Sequence, residues 1–142
     1  MYILVSACLL GEKCRYDGSG KMLEELKEAY PGDTLVPVCP ELLGGLPAPR
    51  TPAERIGDRI LTKTGEDVTE EYRKGAGEVL KLAHDYNCRM VVLKERSPSC
   101  GYGRIYDGSF TGRLIDGSGV TAELLAEHGI RVIGESFFKS QD

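Results

Sequence analysis

Three of the chain's five cysteines stand where a short apolar stretch ends and a loop begins. Cys8 follows an apolar stretch at residues 2–7, Cys39 follows one at 34–38, and Cys100 lies in the loop after one at 90–94. Short stretches that are rich in β-branched residues and bounded by Gly, Pro and Ser predict buried strands. Because ligands of open α/β sheets bind at the carboxyl ends of the strands, we expect these three thiols to face one site.

Metal binding is the chemistry that three convergent thiols favour. Thiolates bind zinc, copper and iron–sulfur clusters, but the chain has no Cys-x-x-Cys pair, the usual spacing of a structural zinc site. Three thiolates leave one coordination position of a cubane cluster open, which suits a site that binds substrate. Taken singly, each cysteine is equally well explained as a small core residue, since free cysteine is among the most buried residue types.

The other two cysteines are predicted to lie outside this set. Cys14 could serve as a fourth ligand, but it lies inside a glycine-punctuated loop and not at a strand end. Cys88 comes just before the apolar stretch at 90–94, so it is expected at the opposite, amino edge of the sheet. We therefore interpret Cys88 as a structural residue.

Polar side chains near the three cysteines could bind substrate or transfer protons. Glu41 follows Cys39 by two residues, and a carboxylate in a desolvated cleft can shuttle a proton. Ser97 and Ser99 precede Cys100 and could donate hydrogen bonds to a substrate. The alternatives are a solvated loop carboxylate and hydroxyl groups that cap a turn.

Asp17 and Arg50 are further candidates for binding substrate, although such loop residues are more often structural. The two histidines, His84 and His128, fall on predicted helices, so a Cys-His catalytic pair or a histidine zinc site has little support. The Gly-x-Gly that begins at residue 101 has no helix after it, which argues against a dinucleotide site.

Strands alternate with helices along the chain. Helical spacing of apolar residues predicts helices at 22–30, 69–86 and 120–128, the second with Thr69 as its N-cap, and a fourth strand at 130–133. A hairpin is expected at 53–63 and a hairpin turn at 106–110, and residues 42–52 are too rich in Gly and Pro for regular structure. This order predicts one α/β domain over residues 1–142, with three α/β/α layers and a mostly parallel, Rossmann-like sheet of about four to five strands.

Composition excludes several classes of protein. The 142 residues are 41% hydrophobic and 28% charged, which is typical of a globular chain. The net charge of −4 and the lack of a basic cluster argue against binding to duplex nucleic acid. No segment resembles a signal peptide or a membrane span, so we expect a cytoplasmic protein with reduced thiols and no membrane partner.

Several motifs together resemble the domain-of-unknown-function family 523, over nearly the whole chain. The motifs are VSACLLG at residues 5–11, CRYDG at 14–18, VPVCPE at 36–41, GGLP at 44–47, GEDVT at 65–69, SPSCG at 97–101 and IYDGSF at 105–110. This family is similar to the domain of thiouracil desulfidases, in which three cysteines hold a [4Fe-4S] cluster whose free iron takes sulfur from a thiolated uracil without redox chemistry. The resemblance implies that Cys8, Cys39 and Cys100 are the cluster ligands, and that Glu41 and a serine of SPSCG, for which we choose Ser97, are catalytic.

The leading hypothesis is therefore a [4Fe-4S]-dependent enzyme that removes sulfur by hydrolysis from a small thiolated heterocycle such as a thiouracil. Its partner is a small thio-compound, bound with the help of Ser99, Arg50 and Asp17. A second hypothesis is a non-catalytic module that binds a metal or a small ligand through the same three thiols. A third is a metal-free thiol nucleophile, which would require one reactive cysteine with a depressed pKa.

Overall fold

The computed structural model of the protein describes residues 1–138. Within this part of the chain, short strands alternate with helices, and two single-turn 3-10 helices occur at Ala7–Leu10 and Glu135–Phe138. In chain order the other elements are β1 (Tyr2–Ser6), α1 (Glu25–Ala29), β2 (Thr34–Val38), α2 (Pro40–Leu43), β3 (Ala53–Ile56), β4 (Arg59–Thr62), α3 (Thr69–Asp85), β5 (Met90–Leu93), β6 (Arg104–Tyr106), β7 (Leu114–Asp116), α4 (Val120–Glu127) and β8 (Arg131–Gly134).

The central sheet has four strands in the order β2-β1-β5-β8, and every neighbouring pair is parallel. The chain runs from β1 outward to β2 on one side and later returns to β5 on the other side. This arrangement makes a topological switch point between β1 and β5, which is where ligands of doubly wound sheets bind. The predicted parallel α/β sheet is confirmed.

Helices cover both faces of the sheet. On one face, α3 and α4 bury Val79, Ala83 and Leu125 against residues of β1 and β5. On the other face, Leu26 of α1 and the segment after β8 pack against Ile3 and other apolar residues of the strands. The two inner strands, β1 and β5, are apolar on both sides because both sides are covered, as expected for a parallel sheet. The three predicted layers are confirmed.

Helix α1 is shorter than its apolar spacing predicts. The prediction placed a helix at residues 22–30, but the helix begins only at Glu25. The backbone N–H groups of Lys21 and Leu23 donate to the carbonyls of Cys8 and Leu9, at 2.9 and 2.8 Å. These hydrogen bonds to the preceding loop hold residues 21–23 in a non-helical conformation.

The start of α3 also differs from the prediction. Thr69 is the first helical residue and not the N-cap, and its N–H donates to Oδ1 of Asp67 at 2.9 Å. The Thr69 hydroxyl instead accepts the N–H of Ile60 at 2.8 Å, which ties the helix to β4. The tertiary contact with β4 therefore uses the oxygen that a local N-cap would have used.

Two antiparallel hairpins complete the described chain. The pair β3–β4 turns at residues 57–58, as predicted, and the pair β6–β7 follows the loop that carries Cys100. The stretch from 40 to 52 is irregular except for α2, a one-turn helix with Pro40 in its first position, where the missing N–H costs nothing. Among residues 1–138, no helix has the length and apolar character needed to cross a membrane.

Candidate active site

A cavity of about 510 Å³ opens at the carboxyl ends of the strands near the switch point. Its walls include the residues that follow β1, β2 and β5, together with parts of both hairpins. Six predicted site residues line it, and so does a fourth cysteine: Cys8, Cys39, Cys100, Glu41, Ser97, Arg50 and Cys14. The structure thus places the three predicted ligands around one cavity, at the strand ends where the sequence predicted them.

Local structure fixes each of the three thiols. Cys8 lies in the 3-10 helix after β1 and is 7% exposed, while Cys39 directly precedes α2 and is half-buried. Cys100 is 4% exposed, and its N–H donates to the Ser97 hydroxyl at 2.7 Å, which closes the turn after β5. All five cysteines are free thiols.

Burial makes these thiols hard to ionise without a bound cation. It raises the pKa of Cys8 to about 11, although the ammonium group of Lys94 opposes the rise. It raises the pKa of Cys39 to about 12, and the nearby Glu41 carboxylate adds to the effect. The pKa of Cys100 is also held well above its usual value, chiefly by burial. No thiol of this trio has the depressed pKa that a metal-free nucleophile requires.

Ser6 connects the ends of β1 and β5 beneath the cavity. Its hydroxyl donates to the Cys100 sulfur at 3.5 Å and accepts the N–H of Lys94 at 2.8 Å. The Ser6 residue is only 2% exposed, so both contacts are shielded from water. The sequence interpretation missed Ser6 and Lys94, although both stand at strand ends and the argument used for the cysteines would have found them.

Glu41 and Arg50 form an ion pair in the cavity wall. The guanidinium nitrogen Nη2 of Arg50 lies 3.4 Å from Oε2 of Glu41, and the side chains of Arg50 and Glu41 are 8% and 11% exposed. The other carboxylate oxygen, Oε1, lies 3.9 Å from the sulfur of Cys39. Arg50 also donates to the carbonyls of Cys14 and Pro47, at 2.9 and 3.1 Å. The carboxylate is thus held beside the thiols and is not a solvated loop group.

The two serines of SPSCG occupy different surroundings. Ser97 lines the cavity, and it also caps the turn by accepting the N–H of Cys100. Ser99 is fully buried and does not line the cavity; its hydroxyl shares a hydrogen bond of 2.7 Å with Thr121 of α4. The position of Ser99 therefore does not support the predicted contact with substrate.

Asp17 lies outside the cavity as well. The residue is exposed, and its Oδ1 accepts the N–H and the hydroxyl of Ser19 at 3.0 and 2.5 Å. These two hydrogen bonds lower the pKa of Asp17 and fold the loop locally. The structure thus gives Asp17 a turn-forming position, and the predicted contact with substrate has no support from it.

Cys14 lies closer to the other thiols than its loop position indicated. It is 5% exposed and lines the cavity, and its carbonyl is 3.8 Å from the Cys39 sulfur. The hydrogen bond from Arg50 holds this loop against the cavity, and the exclusion of Cys14 from the ligand set stays a prediction. Cys88 is buried before β5 among residues of the main core, as expected.

The donor chemistry of the cavity fits a thiolate-bound cluster. Within residues 1–138, no three His, Cys, Asp or Glu side chains are gathered closely enough to hold one metal ion. The thiols instead line a wider cavity, beside the cationic side chains of Lys94 and Arg15, which partly oppose the rise in the pKa of Cys8. Binding of a cation releases thiol protons, so the raised pKa values are compatible with ligation.

One protein family and one curated relative match almost the whole chain. The model of the 2-thiouracil desulfurase family matches residues 3–136. A Bacillus subtilis (strain 168) protein, the uncharacterized protein YbbK, is 49% identical over an alignment of 144 positions. The alignment covers 94% of this chain and 95% of that protein.

A solved structure has the same fold. The [4Fe-4S]-dependent thiouracil desulfidase TudS is 46% identical in sequence and superposes with a TM-score of 0.88. The match covers 95% of this chain and 91% of TudS.

Proposed function

This chain belongs to the 2-thiouracil desulfurase family, and we propose that it is an enzyme that removes the sulfur atom of a small thiolated heterocycle such as a thiouracil. The observation that carries the proposal is that Cys8, Cys39, Cys100 and Glu41 line the same cavity at the carboxyl edge of the sheet. The similarity to TudS, which is described as a thiouracil desulfidase, supports the same activity.

We assign Cys8, Cys39 and Cys100 as the ligands of a [4Fe-4S] cluster. Each thiol follows a different one of three neighbouring strands, and hydrogen bonds with Ser6 and Ser97 hold Cys100 in the loop after β5. When bound, a cluster with three protein ligands supplies one open iron, a soft Lewis acid that attracts the substrate sulfur and makes the ring carbon more electrophilic.

Glu41 is assigned as the group that moves the proton. In the net reaction, water replaces the exocyclic sulfur with oxygen and sulfide leaves, so no electrons are exchanged with an outside partner. A carboxylate in the cavity wall can take a proton from the attacking water at Oε1 and return it to the leaving sulfur or the ring. Arg50 holds Oε2 of the same carboxylate, which leaves Oε1 on the side of Cys39.

Ser97 is assigned as the residue that orients the substrate. Its oxygen accepts the N–H of Cys100, so the hydroxyl hydrogen can still be donated. Because Ser97 lines the cavity, that hydrogen can reach a carbonyl or ring nitrogen of a bound heterocycle. Of the other predicted substrate-binding residues, only Arg50 lies in the cavity, and its part is to position Glu41.

Anaerobic reconstitution with iron and sulfide, followed by measurement of sulfide released from 2-thiouracil, tests the proposal. The wild-type protein is expected to bind a cluster and to release sulfide, and Cys100→Ala is expected to lose both properties. Glu41→Gln is expected to keep the cluster and to lose at least 100-fold in kcat, the usual contribution of a general base, about 10²–10⁴.

The same measurements separate the alternatives. A non-catalytic binding module would take up the cluster without releasing sulfide from any thiolated base. A metal-free nucleophile would release sulfide without iron. A wild-type protein that binds no cluster under anaerobic conditions would refute the proposed cofactor.

A further inference from the structure

The tip of the β6–β7 hairpin forms one wall of the cavity, and none of its residues has a part in the proposed reaction. Tyr106, Phe110 and Gly112 of this segment line the cavity together with the three cysteines. Phe110 is half-buried, and its side chain is a hydrocarbon ring. The surface that the Phe110 side chain can offer a ligand is therefore apolar and aromatic.

The backbone of Phe110 is in an unfavourable conformation. Its φ angle is +59°, in the left-handed region that bulky residues rarely adopt and that glycine adopts readily. Such conformations persist only where the surroundings hold them, and they are concentrated at functional sites. A phenylalanine at a position that glycine would fit better indicates that the ring itself is needed there.

Glu54 of β3 holds the hairpin tip in place. One carboxylate oxygen, Oε1, accepts the N–H of Gly108 at 2.9 Å and that of Phe110 at 3.2 Å. Glu54 is only 8% exposed, so these charge-assisted hydrogen bonds are shielded from water.

Close packing against β3 constrains the tip further. A Cβ atom on Gly108 would lie 2.3 Å from Cγ1 of Ile56, and the φ angle of Gly108 is +98°, so only glycine fits there. The backbone that carries Phe110 is thus fixed before any ligand binds. Because this backbone is already ordered, a ligand that packs on the Phe110 side chain does not have to order the hairpin tip.

We propose that Phe110 is the surface on which the flat ring of the substrate stacks, and that Glu54 is a positioning residue that presents it. This inference rests on the proposed function, because a thiolated heterocycle is the planar ligand that the cavity would take. Phe110 and the cysteines line the same cavity, so a heterocycle whose sulfur points toward the thiols can lay its face on the ring. Stacking on a side chain contributes strongly to the binding of nucleobase-like rings, because each such ring has a π face.

Three other aromatic side chains line the cavity and are less suited to this part. Tyr106 lies in β6 and lacks the left-handed φ angle of Phe110, so its backbone gives no indication that a ring is required there. Tyr16 belongs to the loop after β1 and is 43% exposed, so water competes for its face. Tyr72 is 3% exposed and has little free surface to offer. Phe110 combines partial exposure to the cavity with a backbone held by hydrogen bonds.

A tryptophan reporter tests the contact directly. The chain contains no tryptophan, so Phe110→Trp places a single indole at the proposed stacking position. Titration of the reconstituted protein with 2-thiouracil is expected to quench this fluorescence to saturation. The matched control is Tyr102→Trp, because Tyr102 is 50% exposed and does not line the cavity. Light absorption by the ligand affects both variants equally, so a true contact is the quenching in excess of the control.

Steady-state kinetics provide the second readout. Phe110→Gly removes the ring and relieves the strained φ angle, so the fold is expected to keep its Tm while KM rises about 5- to 100-fold, with a smaller change in kcat. Phe110→Tyr restores an aromatic face and is expected to recover most of the affinity. Glu54→Ala is expected to raise KM as well, and Glu54→Gln to recover it, because the amide oxygen still accepts the two N–H groups.

Each outcome decides the inference. Sulfide release by the wild-type protein, together with no excess quenching in Phe110→Trp and an unchanged KM in Phe110→Gly, would overturn the stacking contact and leave the proposed function intact. If the wild-type protein releases no sulfide, the proposed function fails and the fluorescence titration alone decides. Excess quenching then supports the stacking surface, and its absence refutes it.

Discussion

Arg50 holds Glu41 in the wall of the cavity, with 3.4 Å between the guanidinium nitrogen Nη2 and the carboxylate oxygen Oε2. Arg50 is nine residues farther along the chain than Glu41, and the irregular stretch between them folds back to make the pair. Both side chains are almost fully buried, so each charge depends on the other.

Removal of the guanidinium is expected to destabilise the protein strongly. Arg50→Ala leaves a buried carboxylate unpaired, which typically lowers the free energy of unfolding by about 3–5 kcal/mol. Arg50→Lys should recover part of this, because an ammonium group keeps the charge but not the forked geometry. The measurement is urea denaturation. The control is Arg59→Ala, which removes an exposed ion pair with Asp67 and should lower the free energy of unfolding by less than about 1 kcal/mol. Equal losses in the two alanine variants would contradict this account of the buried pair.

Cys14 is expected to be dispensable for cluster binding although it lines the cavity. Cys14→Ala should retain the iron and sulfide content and the visible absorption of the reconstituted wild-type protein. Cys8→Ala and Cys39→Ala should lose them, and Cys88→Ala, which alters the core away from the cavity, serves as the control. Loss of the cluster in Cys14→Ala would instead make Cys14 a fourth ligand.

Alkaline pH is expected to destabilise the protein when no metal is bound. The folded-state pKa of Cys8 is about 11, above its ordinary value of 9.0, so the native state retains a proton that the unfolded chain loses. The stabilisation is complete below about pH 9 and is lost as the pH rises through about 11; for this thiol it amounts to roughly 3 kcal/mol. Denaturation across this pH range measures it. Cys8→Ala should show a shallower decline, and an identical slope would refute the assignment.

The two serines of SPSCG are expected to act differently. Ser99→Ala leaves Thr121 without its buried partner and should cost about 1–3 kcal/mol of stability, with its effect on turnover arising mainly through folding. Ser97→Ala should lower kcat/KM by a larger factor than Ser99→Ala does, and should lower the Tm less, because Ser97 lines the cavity. Thermal denaturation and kinetics on both variants distinguish the two. The reverse ranking would make Ser99 the functional serine.

Local patterns in the sequence were sufficient for the framework of the fold. Strands β1 and β5 are short and apolar because both faces of the inner part of a parallel sheet are buried, and that property is visible without coordinates. The same patterns place Cys8 and Cys39 just beyond the ends of β1 and β2, and Cys100 in the loop that follows β5. Since parallel strands share one carboxyl edge, the common cavity follows from their order in the chain.

Contacts between distant segments decided the rest. The capping oxygen of α3 could not be predicted, because Thr69 bonds to Ile60 and leaves the N-terminal contact to Asp67. The inward position of Cys14 depends on a hydrogen bond from Arg50, 36 residues away in sequence. Neither partner carries a local signal that specifies the other.

The sequence by itself determined the order of strands and helices, the family, and the three thiols that share one edge of the sheet, because periodicity and strand ends are local properties. Only the tertiary structure decided that Ser97 faces the cavity while Ser99 faces α4, and that Glu54 holds the backbone of Phe110 at the cavity wall. These are choices of side-chain direction in loops, where no repeating backbone geometry relates sequence spacing to a face. They are set by whichever distant group supplies the hydrogen bond.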